Sequence, residues 1–155
     1  MPGDTIVTSP QNTHLHGDLT EALWRSFRKL RQQFRAQPGY SESELTAALL
    51  HELKSGGLAV STQVPVIHRH NGRRIGEGFI DLVIDCRVVV EVKNVKKLTA
   101  EHINQMHRYV EDSGLAVGVL LNFGCPNVDL NTQEGRQQVF HRHYYPPNDP
   151  YRSHS

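Results

Sequence analysis

The 155-residue chain lacks several features that would assign it quickly to a class of proteins. No run approaches the roughly 18 apolar residues that a membrane-spanning helix needs, so a membrane protein is not expected. Its two cysteines, Cys86 and Cys125, are too few for a disulfide framework and too far apart in sequence for a zinc knuckle. The first residues show neither a basic segment nor an apolar run. A secretory signal is therefore not expected, and a cytoplasmic location is predicted.

A strong charge of either sign is also missing, because the formal net charge is only +1. Composition alone therefore does not indicate a nucleic-acid-binding protein, and any such role must come from local clusters of charge. The length predicts one domain with a real hydrophobic core. We place this domain at residues 18–145, between a disordered leader at 1–17 and a flexible tail at 146–155.

The hydrophobic pattern predicts two helices, three strands, a third helix and two further strands. Helix signals cover the segments 18–37, 41–55 and 99–113. Strand signals cover 58–67, 75–84, 88–95, 115–123 and 137–145, with a polar turn at 68–74 around Asn71-Gly72. This order predicts an α/β (α+β-like) fold in which a mixed central sheet is flanked by helices.

Three charged residues interrupt the apolar strands of the central hairpin. Asp81 lies in one strand, and Glu91 and Lys93 lie in the next, although charged residues are depleted from strand interiors. The three-residue join Asp85-Cys86-Arg87 indicates an antiparallel pair. If Ile84 pairs with Val88, Asp81 lies directly opposite Glu91, with Cβ atoms about 4.5–5.5 Å apart.

Two carboxylates that close repel each other unless a cation lies between them or one is protonated. A divalent metal removes that cost, and an all-oxygen ligand set suits Mg²⁺ or Mn²⁺ better than Zn²⁺. Lys93 shares a strand face with Glu91, where its ammonium could hold a nucleophilic water or stabilise charge on a phosphate. The alternative interpretation is an exposed, salt-bridged strand face.

The pattern Asp81, then Glu91-Val92-Lys93, resembles the motif of the PD-(D/E)XK nuclease superfamily. The wider sequence is similar to its GxxExxY branch over about residues 19–130. The matching segments are 39–42, 48–53, 57–60, 63–66, 81–93, 102–105 with Tyr109, and 118–124. Two positions depart from the family pattern, since Leu45 stands in place of its Tyr and Ile80 in place of its Pro.

This resemblance implies a restriction-endonuclease-like αβββαβ core, with the first helix as an addition, and metal-dependent phosphodiester hydrolysis. Asp81 and Glu91 would be metal ligands, and Lys93 the catalytic lysine. Glu42, the helix glutamate of the GxxE motif, would approach the same metal as a further ligand. Gln105, on the helix after the motif, would line the catalytic site.

Two clusters of basic residues are candidate contacts for nucleic acid. The first helix carries five basic residues between Arg25 and Arg35, of which we select Arg28 and Arg31. The Asn71-Gly72 turn carries a second cluster, from which we select Arg73 and Arg74. Solvated helix and turn surfaces are the alternative interpretation. The pairs His68 with His70 and His141 with His143 are predicted to be surface residues, because no recognised zinc-ligand spacing completes either pair.

Our first hypothesis is a Mg²⁺- or Mn²⁺-dependent nuclease that acts on nucleic acid, with DNA preferred over RNA as the expected substrate. The second is a non-catalytic nucleic-acid-binding or protein-interaction module that kept the fold. A third is a metal-dependent hydrolase of a small phosphorylated substrate. The intact set of Asp81, Glu91 and Lys93 favours the enzyme, because these strand charges are costly without a function.

Overall fold

A five-stranded mixed sheet forms the centre of the computed structural model, which describes residues 15–35 and 39–146. In chain order the elements are α1 (Gly17–Arg35), α2 (Glu42–Ser55), β1 (Val60–His70), β2 (Arg73–Ile84), β3 (Val88–Lys93), α3 (Ala100–Ser113), β4 (Val117–Asn122), α4 (Gln133–Gln137) and β5 (Phe140–Tyr144). The predicted fold class, a mixed sheet with flanking helices, is confirmed.

The strands follow their sequence order across the sheet, β1-β2-β3-β4-β5. All neighbours are antiparallel except β3 and β4, which are parallel and are connected through α3. Both β3 and β4 are almost wholly buried, as expected for strands with helices on both faces, and β3 is apolar apart from Glu91 and Lys93. The final strand, predicted at 137–145, is the edge strand β5.

Helices cover the two faces of the sheet. The helices α1 and α2 pack Leu23, Phe27 and Leu49 against one face, where they meet Val90 and Val119. The helix α3 packs Met106 and Val110 against the other face. Two N-caps fix the starts of α2 and α3, since Ser41 forms a capping box with Glu44 and Thr99 forms one with His102.

The β1–β2 hairpin is longer than its sequence pattern indicated. The polar segment 68–74 was expected to be a turn, but β1 continues to His70 and β2 begins at Arg73. Only Asn71 and Gly72 form the connection, with φ angles of 51° and 77°. Positive φ at both residues is the geometry that lets a two-residue loop follow the twist of its strands. Most side chains at these strand ends are polar and face solvent, so the segment lacks the hydrophobic pattern that predicts a strand.

Other boundaries differ in smaller ways. The short helix α4 was not predicted, because five residues carry too little periodicity to be recognised. Most of the predicted leader (1–17) and tail (146–155) lies outside the described residues, as does the predicted end of α1 at residues 36–38. Gly17 already belongs to α1, and Leu15 packs against the core. No helix within residues 15–35 and 39–146 is long and apolar enough to cross a membrane.

Gly118 allows α3 to pack closely on β4, which yields a test of the fold. A Cβ at this position would overlap Sδ of Met106 and lie 2.5 Å from Cγ2 of Val110. We expect Gly118→Ala to lower the free energy of unfolding by about 1–3 kcal/mol, the usual cost of overpacking a core. Gly76→Ala is the matched control, because a Cβ there meets no atom within 4 Å. Equal denaturation midpoints for the two variants would contradict this packing.

Candidate active site

Asp81 and Glu91 lie side by side where β2 and β3 separate. The register pairs Ile84 with Val88 and Leu82 with Val90, which makes Asp81 and Glu91 the next facing positions. In place of a continued backbone ladder, the N–H of Asp81 donates to Oε1 of Glu91 (3.0 Å). The N–H of Val92 donates to Oδ2 of Asp81 (2.9 Å). Each carboxylate is thus fixed by a backbone amide of the neighbouring strand, in the register expected from the sequence.

Burial makes this pair of carboxylates costly. Glu91 is only 5% exposed, and desolvation, followed by the charge of Asp81, raises the pKa of Glu91 to about 8. Desolvation also raises the pKa of Asp81, although the hydrogen bond from the Val92 amide opposes this shift. Each carboxylate accepts one amide hydrogen bond, and the two carboxyl groups also lie within hydrogen-bond reach of each other. A divalent cation fits this donor set, because it would neutralise a buried and a half-buried carboxylate that lie side by side.

Lys93 is half-buried at the end of β3, two residues after Glu91. Side chains two apart on a strand share a face, so Lys93 and Glu91 point to the same side. Within the described residues, no carboxylate lies within 4.0 Å of the Lys93 ammonium. Burial raises the pKa values of both Asp81 and Glu91, and the charge of Lys93 opposes this rise without reversing it. The ammonium therefore lies close enough to act on an anion held at the carboxylate pair.

Glu42 lies beside the pair rather than within it. As the first residue of α2 it is exposed, and its Oε2 accepts a hydrogen bond from the N–H of Asn94 (3.0 Å). Its charge contributes to raising the pKa of Asp81, after the larger effect of burial. Among residues 15–35 and 39–146, no three acidic, histidine or cysteine side chains converge closely enough to hold a metal.

A cleft of about 180 Å³ joins Glu42 to Asp81, and its other lining residues are Ser43, Thr46 and Gln63. Gln63 has a φ of 47°, which is disfavoured for a residue with a side chain. It lies opposite Asp81, between the pairs Thr62–Leu82 and Val64–Ile80. The strand alternation also changes here, since Ile80 and Val83 pack in one cluster although they are three residues apart. No residue type in this segment predicts the distortion.

Gln105 approaches the carboxylates through Tyr109. Nε2 of Gln105 donates to the Tyr109 hydroxyl over 3.4 Å. Burial, followed by the charge of Glu91, raises the pKa of Tyr109, which places its hydroxyl in the field of the site. The Tyr109 ring stacks on His68, whose Nδ1 lies 2.6 Å from Oδ2 of Asp112. Tyr109 was part of the family resemblance but was not selected as a site residue.

The basic candidates fall into two groups. Arg28 is exposed on α1, and Arg73 and Arg74 are exposed at the tip of the β1–β2 hairpin, where Arg74 pairs with Glu77 (2.9 Å). Arg31 does not fit its predicted role as a phosphate contact, because it is only 3% exposed and its guanidinium donates a hydrogen bond to the carbonyl of Cys125. Arg31 follows Phe27 by four residues, which places both on the buried side of the helix.

Two histidines also contradict the prediction of surface positions. His68 is buried against Asp112 and Tyr109, as described above. His143 is buried too, and its Nδ1 lies 2.9 Å from Nε2 of His107 on α3. Both pairings join residues far apart in the chain, so no local spacing could have revealed them. His70 is exposed at the hairpin tip, as predicted.

The chain matches the family model described as the PD-(D/E)XK nuclease superfamily over residues 18–134. This match covers more than half of the chain, and the chain therefore belongs to that superfamily. The mixed sheet and its helices are consistent with a restriction-endonuclease-like domain. Comparison with curated proteins and with solved structures gave no significant match. Membership of the GxxExxY branch stays a prediction.

The cost of the buried carboxylates can be measured directly. Glu91→Gln keeps an oxygen for the Asp81 amide but removes one charge. We expect it to raise the melting temperature in EDTA by roughly 2–4 °C for each kcal/mol of relieved repulsion. Added Mg²⁺ or Mn²⁺ should stabilise the unaltered protein but not this variant.

Glu77→Gln, at an exposed position of β2, is the control. It should change neither the melting temperature in EDTA nor the stabilisation by metal by more than the small contribution of a surface ion pair. If Glu91→Gln instead lowers the melting temperature in EDTA and Mg²⁺ still stabilises the variant, Glu91 has a structural role and is not a metal ligand.

Proposed function

We propose that this chain is a divalent-metal-dependent nuclease that hydrolyses phosphodiester bonds in nucleic acid. One observation carries the proposal: the adjacent carboxyl groups of Asp81 and Glu91, half-buried and buried and fixed by each other's strands, with Lys93 on the same side. A fold without a catalytic role has no need to keep two adjacent acidic groups in this desolvated position. Membership of the nuclease superfamily supports the same conclusion.

Asp81 and Glu91 would hold the metal through the oxygens that the backbone amides leave free. Mg²⁺ or Mn²⁺ fits, because both prefer oxygen ligands and keep several waters. When bound, such a cation lowers the pKa of a coordinated water and neutralises charge on the scissile phosphate. Glu42 is separated from the pair by the cleft, so we assign it to the ordering of water near the metal and not to a ready-made third ligand position.

The remaining side chains act on the phosphate and the water. The Lys93 ammonium would stabilise the charge that builds up on the phosphate during in-line attack, or orient the attacking water. Tyr109 holds Gln105 at the rim of the site, where the amide can contact substrate. Arg73, Arg74 and Arg28 are exposed cations that can follow a phosphate backbone. DNA remains the expected substrate in preference to RNA, and a cytoplasmic location remains the expected one.

Two substitutions separate metal binding from catalysis. Asp81→Asn should weaken Mn²⁺ binding, because it removes a charged oxygen ligand. Lys93→Ala should leave Mn²⁺ binding unchanged or make it tighter, because it removes a nearby positive charge. Both should reduce cleavage, by about 10²–10³-fold for a group that stabilises the transition state. The measurements are calorimetric titration with Mn²⁺ and cleavage of single- and double-stranded DNA and RNA.

Lys96→Ala is the matched control, since Lys96 is an exposed lysine just beyond β3, and it should retain cleavage. Wild-type cleavage rates for Lys93→Ala would exclude the role assigned to Lys93. A protein that binds nucleic acid without metal-dependent cleavage of any of the four substrates would instead be the non-catalytic module. The lack of a third converging ligand among the described residues is the observation that favours this second function.

The two arginines of α1 provide a test of substrate binding. Arg28→Ala should weaken nucleic-acid binding and lower the slope of log K against log salt by about one unit if Arg28 contacts a phosphate. Arg31→Ala should leave this slope unchanged but lower protein stability, because Arg31 is buried against the Cys125 carbonyl. Salt titrations by fluorescence anisotropy check both statements. An unchanged slope for Arg28→Ala would show that its helix face is only solvated.

A further inference from the structure

The outer half of the β1–β2 hairpin extends beyond the rest of the sheet. The strands β1 and β2 contain 11 and 12 residues, whereas β3 contains 6. On one face of this extension, Gly78 lies beneath His68 and Tyr109, so that face is covered by α3 and its contacts. The opposite face, which we call the outer face, carries Glu77 and Phe79 of β2 and the neighbouring Ile67 of β1. A β-bulge between His68 and Arg69 interrupts the alternation toward the hairpin tip, where Arg74 reaches the side of Glu77.

The outer face exposes apolar side chains to an unusual degree. Phe79 is 50% exposed, and Ile67, which pairs with Glu77 from β1, is 38% exposed. Ile75, in the bulge near the hairpin tip, is 60% exposed. Within residues 15–35 and 39–146, these are the large hydrophobic side chains that remain exposed, and all three lie on this hairpin. Exposed apolar side chains concentrated on one projecting element indicate a binding surface.

The hairpin is positively charged at its tip. Arg73 is exposed there and has no carboxylate within 4.0 Å among the described residues. Glu77 lies beside Phe79 on the outer face, and Arg74 pairs with it over 2.9 Å, which neutralises it. An aromatic ring, aliphatic side chains and unneutralised arginine together match the composition of surfaces that bind single-stranded nucleic acid.

We propose that the outer face of the hairpin binds single-stranded nucleic acid, with an unpaired base stacked on Phe79 and the backbone guided by Arg73. This inference rests on the proposed function and deepens it, because it names the substrate class. Phe79 precedes Asp81 by two residues, about 7 Å along the strand. A strand whose phosphate lies at the carboxylate pair therefore places a neighbouring base within reach of the Phe79 ring.

Two physical arguments favour this occupant over others. Bases in a duplex are already stacked and paired, so an exposed ring gains a stacking partner only from an unpaired base. A second copy of the chain on the same face would bury the unneutralised Arg73 and cover the cleft at Asp81. Three exposed apolar side chains also provide far less area than the roughly 800 Å² per partner of a stable protein interface.

The test compares Phe79→Leu, which keeps an apolar side chain, with Phe79→Trp, which keeps an aromatic ring. Anisotropy would be measured with a labelled 20-nucleotide single strand and with its duplex, in EDTA and again with Ca²⁺. We expect Phe79→Leu to weaken single-strand binding at least 5-fold and Phe79→Trp to keep it. Duplex binding should be weaker and should not depend on residue 79. Far-ultraviolet circular dichroism controls for folding.

Equal single-strand affinity in the two variants, or tighter binding of duplex than of single strand, would overturn the proposal. So would a protein that binds neither nucleic acid but forms dimers that Phe79→Leu or Phe79→Asp disrupts, since the patch would then be a self-association surface. If the protein cleaves with metal but substitutions of Phe79 do not change single-strand binding, this inference is wrong and the nuclease proposal stands. If binding depends on Phe79 but no cleavage occurs, the nuclease proposal is wrong and the binding surface stands.

Discussion

Two carboxylates, Glu91 buried and Asp81 half-buried, lie side by side where β2 and β3 separate, and the site depends on this constraint. Asp81 and Glu91 each accept a hydrogen bond from the opposite strand, so the side chains replace the backbone ladder at this point. The exchange satisfies two amides that would otherwise lose their partners. It also keeps two like charges together in a desolvated place, which a fold tolerates only when a cation or a proton compensates.

The surroundings of the pair follow from that constraint. Gln63, with its distorted backbone, lies on β1 directly opposite Asp81, and the cleft toward Glu42 opens at the same place. Lys93 adds a positive charge on the side of Glu91, while the hydroxyl of Tyr109 lies in the field of Glu91. The site therefore has a negative centre for a metal, a cation for a phosphate and an open approach along the hairpin.

Local signals in the sequence predicted much of this arrangement. The starts of α2 and α3 depend on residues close in sequence, and the register of Asp81 with Glu91 depends on one short turn. The failures concern contacts between distant parts of the chain. The burial of Arg31 depends on a carbonyl 94 positions away. The φ of Gln63 has no signature in residue type, because its conformation is imposed by the strands around it.

A crystal structure of the protein soaked with Mn²⁺, analysed by the anomalous scattering of the metal, tests the central claim most directly. We expect one strong peak between the carboxylates, at about 2.0–2.4 Å from an oxygen of Asp81 and an oxygen of Glu91, with further ligands from water. The peak should be absent from Asp81→Asn crystals. Mn²⁺ bound elsewhere, or no Mn²⁺ at all with both carboxylates still hydrogen-bonded only to the strand amides, would contradict the claim that this pair is a metal site.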